Sequence, residues 1–367
     1  MKFIYHSFYH ILPIKKVNTN KELFLLNEEE IQLIRRKEQI AIWLAAFFGA
    51  MGVLLLYLPQ YAFPNLFPVY TITLFGKNLA IPVVMMVYSL ILVLIEIMLL
   101  TLLNIWCAHE IGVATGFLNH ENKRSLHKRN LLIDIGLEKK NKQILKYGID
   151  PFQGINKKAL LVWNFFFILK ATLSNMLFKI LIQRMLGRYA IRAVKDFAGL
   201  PIFAGWNAYG THVIIREARV IIMGQNLIQT VSERIGKDQE PTTEFKELLY
   251  DTLQYIAISK REFHQNHYLL TKILFDIYNI KSKDEHWLEK GYFQKLHVAT
   301  VEERAVCQLL ISIGFLLDGK LSVKERLEIH ELKKVGLLDI SSDEMKKYVD
   351  DFLSGRGIKG LIDKFIE

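Results

Sequence analysis

Two long runs of apolar residues dominate the N-terminal third of the chain. Ile40 to Leu58 contains no charged residue, and Leu79 to Cys107 contains only Glu96. Each run is close to or longer than the roughly 20 apolar residues that cross the hydrocarbon core of a bilayer. The pattern therefore predicts two transmembrane helices, over 40–58 and 79–107, joined by a short outer loop over 59–78.

The polar segment 1–39 before the first run contains the start signal of a helix. Asn27 is a good N-cap and Glu30 falls at the third helical position, a variant of the capping box. We expect this helix to continue into the membrane. The first run lies too far from the N-terminus to resemble a signal peptide, so we expect no cleavage. In the outer loop, the alternation over Val69 to Phe75 predicts at most a small hairpin, with Gly76, Lys77 and Asn78 in its turn.

The distribution of basic residues predicts the orientation of both spans. The outer loop carries only Lys77, whereas basic residues flank the other ends of the two runs: Arg35, Arg36, Lys37, Lys123, Arg124, Lys128 and Arg129. By the positive-inside rule, both termini face the cytoplasm. This arrangement predicts a multi-pass protein of the inner, cytoplasmic membrane.

A third apolar segment, Ala159 to Leu186, differs from the first two because it carries Lys170, Lys179 and Arg184. If it crossed the membrane, it would place a basic stripe on the outer side. We therefore interpret it as a membrane-surface or buried helix. The stripe has helical spacing and would bind anionic lipid headgroups at about 1 kcal/mol per residue, or form an ordinary solvated face. Its members are Arg184, Arg188, Arg192 and Lys195.

Beyond the polar stretch "GKDQEPTTEF", the apolar residues recur with helical periodicity, and the positions on one face of a predicted helix include Val306, Leu309 and Ile313. The predicted fold class is all-α: a two-span transmembrane hairpin, a membrane-associated helical region over 108–236, and a cytoplasmic helical bundle over 240–367. We expect the segment from about Glu240 to Glu367 to fold alone.

Composition and charge argue against several classes of function. The net charge is +10, but the basic residues gather beside apolar segments, which favours membrane lipids over nucleic acid as the partner. Cys107 and Cys307 are too few for a disulfide framework. No catalytic triad order, phosphate loop or dinucleotide fingerprint is present, so we expect no enzyme. His264 and His267 lack a third metal ligand at helical spacing, which favours a surface pair.

The stretch "RYAIRAVKDFAGLPIFAGWNAYGTHVIIREAR" contains Gly199-x-Pro201, Gly205, Asn207 and a basic end. It resembles the hydrophobic domain of EcsC-type and YcjF-like bacterial membrane proteins, over roughly residues 157–228. The resemblance implies a membrane-associated helical region after a transmembrane hairpin. On the residues alone, Pro201 and Gly205 break a helix, and Asn207 caps the next helix or packs against it.

The stretch "RAVCQLLISIGFLLDGKLSVKERLEIHEL" contains a helix, an Asp-Gly turn and a Ser-x-x-Glu helix start. It resembles the helical domain of TerB-like tellurite-resistance proteins, and the resemblance implies Asp318 and Glu325 as candidate ligands of a divalent metal. On the residues alone, Gly319 ends one helix in a left-handed conformation, and Ser322 with Glu325 forms a capping box. The capping interpretation needs no cofactor, and we expect none.

Glu96 is the one charged residue inside a predicted span, about 4.5 Å from the midplane if that span is centred near Val93. At its level the first span offers only Ala45, Ala46 and Gly49. We therefore expect Glu96 to be neutral, or to pair with Lys170 or with a helix of a neighbouring subunit.

These features favour a non-enzymatic inner-membrane protein: a membrane-anchored cytoplasmic scaffold or sensor linked to envelope stress. Its partners would be membrane lipids and proteins bound by the C-terminal helical domain, and it would form a homo-oligomer in the rival interpretation. That rival is an oligomeric ion channel or transporter subunit that uses Glu96.

Overall fold

The structure, a computed structural model, describes residues 7–8, 11–12, 26–74, 77–118, 125–136, 142–155, 197, 199–235 and 241–365. Within these ranges the protein is helical apart from one two-stranded hairpin and two short 3₁₀ turns, which confirms the all-α prediction. The helices are α1 (Glu28–Ala62), α2 (Val83–Ala114), α3 (Ser125–Gly136), α4 (Leu200–Ile235), α5 (Thr243–Lys260), α6 (Gln265–Tyr278), α7 (Tyr292–Val298), α8 (Val301–Leu316), α9 (Val323–Lys334), α10 (Ser342–Ser354) and α11 (Lys359–Asp363).

The chain forms two compact units. The first unit comprises Met1–Leu12, Arg36–Cys107 and Ile155–Ile215, and the second comprises Pro13–Arg35, Ala108–Gly154 and Arg216–Glu367. Helices α1, α2 and α4 each contribute residues to both units. The second unit therefore contains more of the chain than the segment after residue 240.

Both long helices of the first unit are long and apolar enough to cross a membrane, judged by length and composition. Helix α1 begins after Asn27, whose side chain and that of Glu30 form the predicted capping box. It continues through Pro59 to Ala62, past the predicted end of the first span. The tyrosine hydroxyl of Tyr88 in α2 donates a hydrogen bond of 2.7 Å to the carbonyl of Leu55 in α1.

The second transmembrane span is predicted to begin earlier in the chain than helix α2 does. Strand β1 (Tyr70–Leu74) pairs antiparallel with β2 (Lys77–Ile81), with Leu74 opposite Lys77. Lys77 therefore begins a strand and does not lie in the turn. Pro82 follows the strand, and α2 starts at Val83. Hydropathy alone does not separate apolar strand residues from apolar helix residues, so the predicted span included the end of β2, from Leu79 to Ile81.

The apolar side chains of α1 and α2 in the first unit point mostly outward. Exposed large residues follow one another along both helices: Trp43, Leu44, Phe47, Leu55 and Leu58 in α1, and Val87, Leu90, Ile91, Val93, Leu94, Ile95 and Ile97 in α2. Water would make such a surface costly, at about 25 cal/mol per Å² of apolar area. The arrangement is the one expected of helices that are solvated by lipid.

The second unit has an ordinary buried core. Helix α8 is almost completely buried from Leu309 to Leu316 and packs against α5 and α10. Capping boxes start α8 at Thr300, α9 at Ser322 and α10 at Ser341. Because each box satisfies backbone N–H groups at a helix start, these three helix starts follow from local sequence.

Residues before position 240 contribute to this same core. Ile144 and Ile149 precede α4, and Val220, Leu227 and Val231 come from α4 itself. The segment around Gly148 is held by hydrogen bonds: the hydroxyl of Tyr250 donates to the carbonyl of Tyr147, and the N–H of His286 donates to the carbonyl of Gly148 at 2.9 Å. The boundary predicted near residue 240 therefore does not separate two cores.

Candidate functional site

The first candidate site is a polar pair among the apolar helices of the first unit. Asn207, in the first half of α4, donates a hydrogen bond of 2.6 Å from Nδ2 to Oε1 of Glu96 in α2. Both side chains are half-buried. Glu96 thus has a partner within its own chain, an asparagine for which the sequence predicts either a helix cap or packing against the next helix.

Glycines of α1 allow the three helices to approach closely around this pair. A Cβ atom on Gly52 would lie 3.2 Å from Oε2 of Glu96, and one on Gly49 would lie 2.4 Å from the carbonyl oxygen of Phe203 in α4. The sequence analysis placed Gly49 at the level of Glu96, but Gly52, one turn further on, is the residue that contacts the carboxylate. Gly49 instead permits backbone contact with α4.

The structure of helix α4 also differs from the prediction. Pro201 is its second residue, where a proline is tolerated, and Gly205 lies inside a helix that continues without a break to Ile235. The predicted helix break at Gly205 is therefore wrong. Lys170, the partner proposed for Glu96, lies outside the described residues, as does the predicted basic stripe: Arg184, Arg188, Arg192 and Lys195.

The second candidate site is a buried ion cluster in the second unit. The ammonium of Lys260, at the end of α5, lies 2.7 Å from Oδ1 of Asp318 and 3.0 Å from Oε1 of Glu325. It also donates to the carbonyl oxygens of Phe315 at 2.9 Å and Lys320 at 3.1 Å. The side chain of Lys260 is completely buried, and those of Asp318 and Glu325 are 7% and 6% exposed.

The structure thus brings both candidate metal ligands together, around a cation that belongs to the chain. Glu325 also completes the predicted capping box, because its Oε2 accepts a hydrogen bond of 2.7 Å from the N–H of Ser322. Gly319 has the predicted left-handed conformation, with φ of 65°. Among the residues that the structure describes, no group of three or more histidine, cysteine and acidic side chains is arranged to hold a metal ion.

His264 and His267 are buried, so the predicted surface pair is wrong. The Nδ1 atom of His264 accepts from the N–H of Asn266, which leaves Nε2–H to face the carboxylate of Glu217 at 3.1 Å. Burial alone would raise the pKa of Glu217, but the adjacent His264 imidazole outweighs burial and lowers that pKa. The Nε2 atom of His267 lies 3.0 Å from the carbonyl oxygen of Gly314.

Burial of the His267 imidazole, with a smaller effect from His264, lowers its pKa to about 3. His267 is therefore neutral at physiological pH and acts as a donor to the backbone of α8. Both histidines thus bind helix ends and helix backbones, and neither is presented to solvent.

The two sites differ in their chemistry. The ion cluster links the end of α5 to the α8–α9 turn through buried ion pairs, and the polar pair links α4 to α2 through a hydrogen bond in apolar surroundings. Neither arrangement contains a nucleophile beside a base. Comparison of the chain with protein-family models, with curated proteins and with solved structures gave no match. The function is therefore argued from the geometry.

Proposed function

We propose that this protein is a non-enzymatic inner-membrane protein in which α1 and α2 anchor a cytoplasmic helical scaffold or sensor. The outward-facing apolar side chains of α1 and α2 support the anchor, because lipid is the solvent in which that surface is stable. The charge asymmetry of the flanking sequence supports cytoplasmic termini. The resemblances to EcsC-type and TerB-like proteins suggest envelope stress as the setting.

The scaffold proposal rests on an exposed apolar stripe on α9. Val323 and Leu327 are 67% and 63% exposed, one helical turn apart, on a helix whose other face is buried through Ile329 and Leu332. The ion cluster fixes the start of this helix, because Glu325 binds Lys260. A rigid helix that presents two apolar side chains to water is suited to binding a protein partner.

Co-purification from membranes tests this proposal. We expect the wild-type chain to retain a partner that the double variant Val323→Ser/Leu327→Ser loses. The control is Lys346→Ser/Lys347→Ser, two exposed changes on α10, which should leave the partner bound. If both variants retain the same proteins as wild type, or if none is retained by wild type, the scaffold proposal is wrong.

The rival function is an oligomeric ion channel or transporter subunit, and the Glu96–Asn207 pair is the observation that favours it. Polar groups in a membrane region are often part of an ion path. Ion flux measured with purified protein in liposomes distinguishes the two functions. The channel would be supported if the wild type conducts ions and Glu96→Gln abolishes the flux without changing the oligomer size.

A further inference from the structure

Between Phe203 and Val213, α4 has its large apolar side chains on the outside and mostly small or uncharged polar side chains on the inside, although His212 is exposed. Trp206 and Tyr209 are 44% and 61% exposed, and Phe203 and Val213 share that outer face. On the opposite face, Thr211 is buried and Asn207 is half-buried, together with Ala204 and Ala208. A helix in water shows the reverse arrangement.

This part of the chain contacts α1 at Gly49 and near the end of that helix, and it contacts α2 at Glu96. The ring of Phe197, just before α4, lies 6.0 Å from the ring of Tyr57 and 6.1 Å from that of Tyr61, near the end of α1. Further along, the backbone of Phe203 reaches Gly49. The order of these contacts is reversed between the two helices, so α4 runs antiparallel to α1.

We propose that residues 199–215 form a further membrane-embedded segment whose outer face is covered by lipid acyl chains. The segment carries no Asp, Glu, Lys or Arg, although it contains the exposed His212, and its 17 residues are at the short end of the length that crosses a bilayer core. Asn207 in this segment donates a hydrogen bond to Glu96 in α2, a helix whose neighbouring apolar side chains are exposed. A polar pair of this kind joins helices that share the same apolar solvent.

Cysteine labelling of the full chain in native membranes tests the inference, which rests on the proposed insertion of α1 and α2. In a background with both native cysteines changed to alanine, single cysteines replace Leu94 on α2, Tyr209 on α4 and Leu327 on α9. These three side chains are similarly exposed, at 51%, 61% and 63%. Opened membranes are treated with a membrane-impermeant maleimide, and labelling is normalised to the denatured protein.

We expect the cysteines at 94 and 209 to react at least tenfold more slowly than the cysteine at 327. Fast reaction at 209 with slow reaction at 94 would overturn the inference and leave the two-span anchor intact. Fast reaction at both would overturn the anchor as well.

Discussion

Removing the ammonium of Lys260 is the most direct test of the buried ion cluster. Lys260→Met keeps an unbranched apolar side chain of similar length and removes the charge. Two carboxylates, on Asp318 and Glu325, would then lie buried without their cation. The carbonyl oxygens of Phe315 and Lys320 would also lose a donor.

The expected loss of stability depends on the hydrogen bonds that each carboxylate keeps after the ammonium is removed. Breaking one partner out of a buried ion pair costs about 3 to 5 kcal/mol. Here Asp318 keeps the N–H of Lys320 at 3.1 Å, and Glu325 keeps the N–H of Ser322 at 2.7 Å. We therefore expect a decrease of about 3 to 4 kcal/mol in the free energy of unfolding, a large share of the 5 to 15 kcal/mol typical of domains.

The matched control is Lys283→Met. Lys283 also lies 2.7 Å from a carboxylate oxygen, that of Glu247, but both side chains are nearly half exposed. Exposed pairs of this kind contribute about 0 to 1 kcal/mol. The chemical change and the shortest distance to a carboxylate oxygen are the same, so the difference between the two variants measures the effect of burial together with the additional acceptors of Lys260.

Pulse proteolysis in urea is the appropriate assay, because it reports the unfolded fraction of the second unit in the full chain. The protein is kept in mild detergent, and protease-resistant product is detected through a C-terminal tag. A loss below 1 kcal/mol in Lys260→Met, equal to that of Lys283→Met, would refute the reasoning. Adding Asp318→Asn and Glu325→Gln to Lys260→Met should recover part of the stability, since no buried charge is then left without a partner.

Four further predictions concern other contacts. Asn207→Leu should destabilise the protein in detergent by about 0.5 to 2 kcal/mol because it removes the partner of Glu96, whereas Glu96→Gln keeps an acceptor for Asn207 and should stay within about 0.5 kcal/mol of wild type. Gly49→Ala should lower the melting temperature because its Cβ meets the backbone of Phe203, whereas Gly210→Ala, with open space around its Cβ, should not; equal effects would contradict this packing. His267 has a folded-state pKa below its unfolded value, so its stabilisation is complete above pH 6.5 and is lost as the pH falls toward about 3, by up to about 1.4 kcal/mol per unit. His267→Gln should flatten that dependence, measured by urea midpoints between pH 6.5 and 4.5, and the exposed His297→Gln should leave it unchanged. Calcium should not raise the melting temperature of wild type because Lys260 occupies the carboxylates; a rise of several degrees that Asp318→Asn abolishes would support a metal site.

The features that the sequence predicted correctly depend on short-range signals. The capping boxes at Asn27 and Ser322 each involve residues three positions apart, and the left-handed Gly319 is a local turn requirement. Hydrophobic periodicity likewise operates within one helix. These properties are determined by neighbours along the chain, so a single sequence contains them.

The features that it missed are long-range contacts. Lys260 is 58 residues from Asp318, and Asn207 is 111 residues from Glu96. A lysine in the last turn of a helix ordinarily interacts favourably with the helix dipole. The sequence around Lys260 therefore did not indicate a buried role. His264 and His267 are predicted as a surface pair because they lack a third metal ligand at helical spacing, but the backbone carbonyl and the carboxylate that they face come from other helices.

Helix α4 shows why hydropathy alone does not indicate how a helix is packed. Its first half presents Trp206 and Tyr209 outward, whereas its second half buries Ile222, Leu227 and Ile228. Average hydropathy does not distinguish these arrangements, because it counts apolar residues without their direction. The arrangement changes near Arg216, where the first charged residue of the helix appears. The polar Asn207 is accommodated in the first half because Glu96 accepts its hydrogen bond, and this partner lies 111 residues away along the chain.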